Sequence, residues 1–216
     1  MPDFVFETIP DHIDYPAMLE RQHAQRKAVA AGDAQNTIYF LEHEPTITMG
    51  RNSHEENLLF SRDALEGKGV TVHETDRGGD VTYHGPGQLV IYPILNLEQW
   101  RCSVGWYLRS LEEVVIKTLA TWDLQGERVE GYTGVWVDGA KVSAVGVGVN
   151  RWVTFHGTSI NVDPDMTHFQ LIVPCGITDK PVTTLKALLG GSAPSMEEVR
   201  TRYEQAFREV FTNSPE

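Results

Sequence analysis

Four short stretches of this chain combine glycine with side chains that can bind or react. The first runs from Arg77 to Gln88, with the sequence RGGDVTYHGPGQ. Glycine lets a backbone approach a ligand and expose its N–H groups, while Arg77, Tyr83 and His84 add directional donors. The Walker pattern and the GxGxxG fingerprint are both missing, so phosphate binding is not implied. The stretch indicates a ligand site, with a pair of ordinary glycine-rich turns as the alternative.

The second stretch, KVSAVGVG from Lys141 to Gly148, places a lysine inside a strand of small and apolar residues. An ammonium in that setting suggests chemistry, although an edge strand with Lys141 pointing to water is the simpler interpretation. The third stretch, FHGTSIN from Phe155 to Asn161, again mixes small and polar residues. Taken alone, its His156 is predicted to be a hydrogen-bonded core histidine.

The fourth stretch, IVPCGI from Ile172 to Ile177, holds Cys175 between a proline and a glycine. A thiol becomes a nucleophile at neutral pH as thiolate, which a nearby ammonium favours by lowering the thiol pKa. A buried cysteine that serves only as a small hydrophobe is the alternative. Cys102 has no comparable setting and is predicted to be structural. A zinc site from His84, His156 and Cys175 is disfavoured, because none lies at short ligand spacing from another.

Predicted helices and strands position these stretches. Helices are expected from Tyr15 to Ala31, after a Ser103 cap, and after a Ser195 capping box. Strands are expected at 37–41, 46–48, 69–74, 81–84, 88–94, 134–138, 140–149 and 152–162, with an Asp138-Gly139 hairpin turn. Strands interspersed with a few helices, without regular βαβ alternation, predict an α+β domain around a mixed sheet.

Composition limits the possible functions. The 216 residues, 41% of them hydrophobic, suit a single domain over residues 1–216. No secretory leader or stretch of roughly 18 apolar residues is evident, so we expect a cytoplasmic protein that does not enter a membrane. A formal charge of −12 argues against nucleic acid as a partner. Two cysteines are too few for a disulfide framework.

Together and in this order, the four stretches resemble the lipoyl(octanoyl) transferase family. That family's pattern runs RGG-x-VTYHGPGQ, K-[IV]-x-A-x-G, FHG with a later Asn, and PCGI. The resemblance spans 77–177, and the HEP at 43–45 with Gly50-Arg51 is similar to the family's upstream loop. Ser143 departs from an alanine that many members carry, and Glu44 from a small residue or proline.

The resemblance implies the fold of biotin and lipoate protein ligases, a mixed sheet flanked by helices. It implies transfer of an octanoyl group from acyl carrier protein to a lysine of lipoyl domains, with no cofactor, metal or ATP. The implied acceptors are 2-oxoacid dehydrogenase E2 subunits and the glycine cleavage H protein. Cys175 would be the nucleophile, and Lys141 would lower its pKa and shuttle protons. The implied substrate-binding residues are Arg77, Gly78, Gly79, Asp80, Val81, Thr82, Tyr83, His84, Ala144, Val145, Gly146, Gly157, Thr158 and Ser159.

Two other functions remain open from the sequence. An ATP-dependent lipoate or biotin ligase on the same fold would modify the same lysine without needing Cys175. A non-catalytic module could instead bind an acyl group or a carrier protein through the glycine-rich loops.

Overall fold

A computed structural model describes residues 2–173 and 181–212, which form nine strands and five α-helices. In chain order these are β1 (Phe4–Ile13), α1 (Tyr15–Ala31), β2 (Asn36–His43), β3 (Thr46–Met49), α2 (Arg62–Glu66), β4 (Thr71–Glu74), β5 (Val81–His84), β6 (Gln88–Ile94), α3 (Val104–Ala120), β7 (Gly134–Val137), β8 (Ala140–Asn150), β9 (Val153–Asn161), α4 (Leu185–Leu189) and α5 (Met196–Thr212). None of the helices described is long and apolar enough to span a bilayer.

The strands form one large and one small sheet. The large sheet has the order β1-β2-β6-β9-β8-β7, in which only β1 and β2 pair in parallel. The small sheet has the order β4-β3-β5, with β3 parallel to β4 and antiparallel to β5. The prediction of an α+β fold around a mixed sheet is confirmed. The Gly85-Pro86-Gly87 segment carries the chain from the small sheet into the large one.

Helices cover both faces of the large sheet. On one face α3 and α5 pack over the main core, to which α3 contributes Tyr107, Leu111 and Val115. Helix α1 packs on the other face through Met18 and Val29. The apolar repeat of α3 therefore predicted its buried face, because that repeat follows the helical period.

Local sequence signals define several of these elements. Ser103 Oγ accepts a hydrogen bond from the Trp106 N–H of α3 at 3.2 Å. The Ser195 N–H and the Glu198 carboxylate, 2.7 Å apart, form one half of the predicted capping box of α5. Asp138 and Gly139 both have positive φ, 50° and 76°, as a type I′ hairpin turn requires. These predictions are confirmed.

Strand β1 was not predicted. Its pairing with β2 shifts register between Thr8 and His12, and Pro10 lies within the shift. The irregularity hides the alternation by which a strand is recognised in sequence.

Candidate active site

A cavity of about 370 Å³ lies where the small sheet meets β8 and β9 of the large sheet. Its walls bring together residues that are far apart in sequence. They are Tyr15, Asn52, Arg77, Gly79, Asp80, Thr82, His84, Tyr92, Gly131, Tyr132, Thr133, Lys141, Ala144, Val145, Gly146, His156, Gly157, Thr158 and Ser159.

Arg77 fixes the glycine-rich loop that forms one wall. Its buried guanidinium donates from Nη2 to the Thr48 carbonyl oxygen at 2.7 Å and to Thr48 Oγ1 at 2.9 Å. The adjacent Gly78 N–H donates to the Val147 carbonyl of β8 at 2.8 Å. A Cβ on Gly146 would lie 2.9 Å from the Gly78 oxygen, so the loop and β8 can approach this closely only with glycine there. The loop therefore joins the two sheets.

Strand alternation divides the predicted residues of β5 between two faces. Thr82 and His84 line the cavity, whereas Val81 and Tyr83 lie in the small-sheet core. The Tyr83 hydroxyl contacts His168 Nδ1 at 2.8 Å, and burial raises the pKa of Tyr83 to about 12. The structure thus places Val81 and Tyr83 away from the cavity, and Gly78 also lies outside its walls.

Asp80 lies at the cavity wall, and its carboxylate accepts hydrogen bonds within the protein. Asn57 Nδ2 donates to its two oxygens at 2.9 and 2.8 Å, and the Val81 N–H donates at 2.6 Å. The Asn57 carbonyl in turn accepts from the Val173 N–H at 2.9 Å. Asp80 is therefore linked through Asn57 to the chain that precedes the PCGI motif.

Lys141 lies on an interior strand, so the expectation of an edge lysine pointing to water is wrong. Strand β8 is hydrogen-bonded to β7 and β9, and Lys141 is only 8% exposed. Its Nζ lies 5.0 Å from the centroid of the fully buried Trp136 ring. The main-chain N–H of Lys141 donates to the Pro181 carbonyl at 2.8 Å, and the main-chain carbonyl of Lys141 accepts from the Thr183 N–H at 2.9 Å.

A β-bulge turns Lys141 toward the cavity. Where β7 advances one residue, from Val135 to Trp136, β8 advances two, from Ser143 to Lys141, so Val142 is an extra residue. Regular alternation would put Lys141 on the same face as Val145 and Val147, which lie in the main core. With the bulge, Val142 lies in that core instead, and Lys141 joins Ala144 and Gly146 at the cavity.

Cys175 lies outside the described residues, and the described chain on either side of its segment is hydrogen-bonded to Asn57 and to Lys141. On one side is Val173, held by Asn57, and on the other is Pro181, held by Lys141. Cys102, the other cysteine, is exposed before α3.

Two buried histidines, His84 and His156, line the cavity, and a third, His43, packs against the His84 ring. His43 donates from Nδ1 to the Ile13 carbonyl at 2.9 Å, and its Nε2 lies 2.9 Å from the Tyr92 hydroxyl. Burial lowers the pKa of His43 to about 4 and that of His84, which lies near His43, to about 3. Burial also lowers the pKa of His156, although its Nε2 lies 3.0 Å from Asp76. His43 and His84 are therefore neutral at neutral pH.

Sequence reasoning missed several cavity residues. They are Tyr15, Asn52, Tyr92, Gly131, Tyr132, Thr133 and His156. His156 was expected in the core, and it is buried there as well as lining the cavity. Within the described ranges, no three His, Cys, Asp or Glu side chains are arranged to hold one metal ion.

The buried histidines predict loss of stability in mild acid. Below an unfolded-state pKa of about 6.5, the unfolded chain binds protons that folded His43 and His84 exclude. The free energy of unfolding should therefore be highest above pH 6.5. As the pH falls below 6.5, it should decrease by about 1.4 kcal/mol per pH unit for each such histidine, until the pKa of that histidine in the folded protein is reached. Denaturant unfolding from pH 7 to pH 4.5 measures this slope.

A matched pair of variants assigns the slope. His43→Gln should lower it by the share of one histidine, whereas His54→Gln, at an exposed position, should leave it unchanged. An unaltered slope in His43→Gln would show that His43 binds protons equally in both states.

The fold is that of lipoate and biotin protein ligases. Lipoate-protein ligase A bound with ATP superposes with a TM-score of 0.72 at 16% identity, covering 98% of this chain and 85% of that one. A bipartite lipoate protein ligase from Thermoplasma acidophilum gives 0.71 at 15% identity, covering 98% and 84%. Biotin protein ligase from Aquifex aeolicus gives 0.52 at 14% identity, covering 98% and 70%. At these identities the likeness establishes the fold alone.

Sequence comparison is more specific. The model of the lipoyl protein ligase A/B catalytic domain matches residues 14–208. An octanoyltransferase from Solibacter usitatus is 48% identical over 199 residues, which cover 92% of this chain and 89% of the relative. One from Nostoc sp. is 50% identical over 186 residues, covering 86% and 82%. The chain belongs to the lipoyl protein ligase A/B catalytic domain family, which confirms the resemblance predicted from the four stretches.

Proposed function

We propose that this acyltransferase moves an octanoyl group from acyl carrier protein to the target lysine of lipoyl domains, through a thioester on Cys175. The acceptors would be the lipoyl domains of 2-oxoacid dehydrogenase E2 subunits and the glycine cleavage H protein. The observation that carries the proposal is the buried Lys141 on the cavity wall, whose backbone holds Pro181, at one end of the segment that contains Cys175. Octanoyltransferases at 48–50% identity support the acyl group.

In the first half-reaction, the Cys175 thiolate attacks the thioester carbonyl of the acyl carrier. A carbon–sulfur bond forms to Cys175 and the one to the carrier breaks. The Lys141 ammonium stabilises the attacking thiolate and then gives its proton to the departing carrier thiolate. Because one thioester replaces another, the free-energy change of this step is close to zero and the step needs no ATP.

In the second half-reaction, Lys141 is neutral and acts as a base. The amine of the acceptor lysine attacks the acyl-enzyme carbonyl and loses a proton to Lys141. The Cys175–acyl bond breaks, an amide is formed, and the thiolate and ammonium are restored. We assign stabilisation of the oxyanion in both halves to main-chain N–H groups of the glycine-rich segment that precedes β5, other than that of Gly78, which donates to Val147. Preorganised donors are the usual source of such stabilisation.

The cavity suits an uncharged acyl chain. Its volume lies within the range of about 300–1,000 Å³ for small-molecule sites. Its walls include Ala144 and Gly146, and the lining residue His84 is uncharged at neutral pH. These residues give an apolar chain an uncharged surface to pack against, and the charged Arg77, Asp80 and Lys141 line the same cavity.

The experiment that tests this function is intact mass measurement after mixing the protein with octanoyl-carrier protein in the absence of ATP. We expect a gain of one octanoyl group, sensitive to hydroxylamine, that is lost on adding a lipoyl domain. An ATP-dependent ligase would show no gain without ATP, and a binding module would form a complex but never a covalent adduct. Either result contradicts the proposal.

A further inference from the structure

A fully buried carboxylate outside the cavity remains unexplained by the mechanism. Glu112 lies on α3 with its side chain 0% exposed. Its Oε2 accepts from Arg109 Nη1 at 2.7 Å and from Arg128 Nε at 3.0 Å. Its Oε1 accepts from the Gly134 N–H, at the first residue of β7, at 3.1 Å. Burying a carboxylate costs free energy unless the carboxylate is paired. Here two arginines pair with one oxygen, and the other oxygen accepts from a main-chain N–H.

Gly134 lies directly against the side chain of Lys141. A Cβ on Gly134 would lie 2.7 Å from Cε of Lys141 and 2.5 Å from the Ser143 oxygen. Its φ of 134° is also one that side-chain-bearing residues rarely adopt. The backbone at Gly134 is thus the surface over which the end of the lysine passes.

The segment that precedes Gly134 forms part of the cavity wall. Gly131, Tyr132 and Thr133 line it, and Thr133 Oγ1 donates to the Val145 carbonyl of β8 at 3.1 Å. Glu112 therefore fixes the end of a wall segment whose other contacts lead to the strand that carries Lys141.

We propose that Glu112 is a positioning residue for Lys141, acting by holding the Gly134 backbone against which the lysine side chain lies. The inference rests on the proposed role of Lys141 as the partner of Cys175. Because a misplacement of about 1 Å can cost about 100-fold in rate, a carboxylate that never meets substrate can still govern acyl transfer.

Two substitutions separate this role from a structural one. Glu112→Asp keeps the charge for Arg109 and Arg128 but is shorter by one methylene and withdraws from Gly134. Glu112→Gln keeps an oxygen for the Gly134 N–H but loses the ion pairs, and the partly exposed arginines can then turn to water. Glu113→Gln is the control, because Glu113 pairs with the same Arg128 at 2.7 Å and lies on the same helix.

The readout is the pH midpoint for alkylation of Cys175, measured in a Cys102→Ala background together with melting temperature and acyl loading. We expect Glu112→Asp to raise the midpoint by about one pH unit and to slow loading roughly 10- to 100-fold. Glu112→Gln should lower the melting temperature while leaving the midpoint unchanged, and Glu113→Gln should change neither. In Lys141→Ala protein, Glu112→Asp should add no further shift.

Each outcome decides the inference. If Lys141→Ala shifts the midpoint and Glu112→Asp does not, positioning by Glu112 is overturned while the role of Lys141 stands. If Lys141→Ala itself causes no shift, it is the proposed role of Lys141 as the partner of Cys175 that fails. If Glu112→Asp does not fold, Gly134→Ala can be used instead, because its added Cβ disturbs the contact between the Gly134 backbone and the Lys141 side chain directly. An unshifted midpoint in folded Gly134→Ala would equally overturn the inference.

Discussion

Cys175→Ala should abolish the mass gain of one octanoyl group when the protein is mixed with octanoyl-carrier protein. Alanine offers no sulfur to carry the thioester, and water or the acceptor amine would have to attack the carrier thioester directly. The residual catalysis of enzymes that lack their nucleophile comes from binding and oxyanion stabilisation, so turnover should fall by roughly 10⁴-fold or more. Intact mass and acceptor octanoylation measure the two effects.

Cys102→Ala is the matched control for this result. Cys102 is an exposed thiol before α3, and the proposed mechanism gives it no part. Its replacement should leave loading and turnover unchanged. An octanoyl adduct on Cys175→Ala protein, or its loss from Cys102→Ala protein, would reassign the nucleophile.

Lys141→Ala should move the alkylation of Cys175 to higher pH and nearly stop acyl transfer. Removing an ammonium from beside a thiol raises the thiol pKa by about one to three units when the contact is direct and partly buried. The lost base adds a further factor of about 100 to 10,000 on the amide-forming step. The pH profile of alkylation, measured in Cys102→Ala protein, isolates the first effect.

Lys186→Ala controls for the change in net charge. Lys186 is exposed on the short helix α4, and its substitution removes the same charge without altering the cavity. Its profile should match that of the parent protein. A parent-like profile in Lys141→Ala would mean that another group lowers the pKa of the thiol.

The sequence predicts elements well where a local signal is complete. Three signals each lie within a short stretch of sequence: the α3 repeat, the Asp138-Gly139 turn and the α5 capping box. Such a stretch contains all the residues that determine the local structure. Strand β1 fails that test because its alternation is interrupted near Pro10. Tyr15, Tyr92 and Thr133 escaped the site prediction for a different reason: α1, β6 and the chain before β7 meet only after the sheets pair.

Lys141 shows the limit most clearly. Its residue type suggested chemistry, yet strand periodicity alone would assign it to the core face with Val145 and Val147. The bulge that reverses this assignment depends on how β7 and β8 pair, which involves Gly134 to Val137 as much as β8. A single strand read alone does not contain that information.

Strand length at this point therefore matters independently of residue identity. Substituting Val142 one amino acid at a time would probe packing in the core but would leave the count of residues between Lys141 and Ala144 intact. Removing Val142, whose side chain is apolar, would restore continuous pairing and direct the ammonium into the apolar layer beneath α3 and α5. In an alignment, a one-residue gap here would thus carry more functional meaning than most substitutions, even with lysine and cysteine both retained.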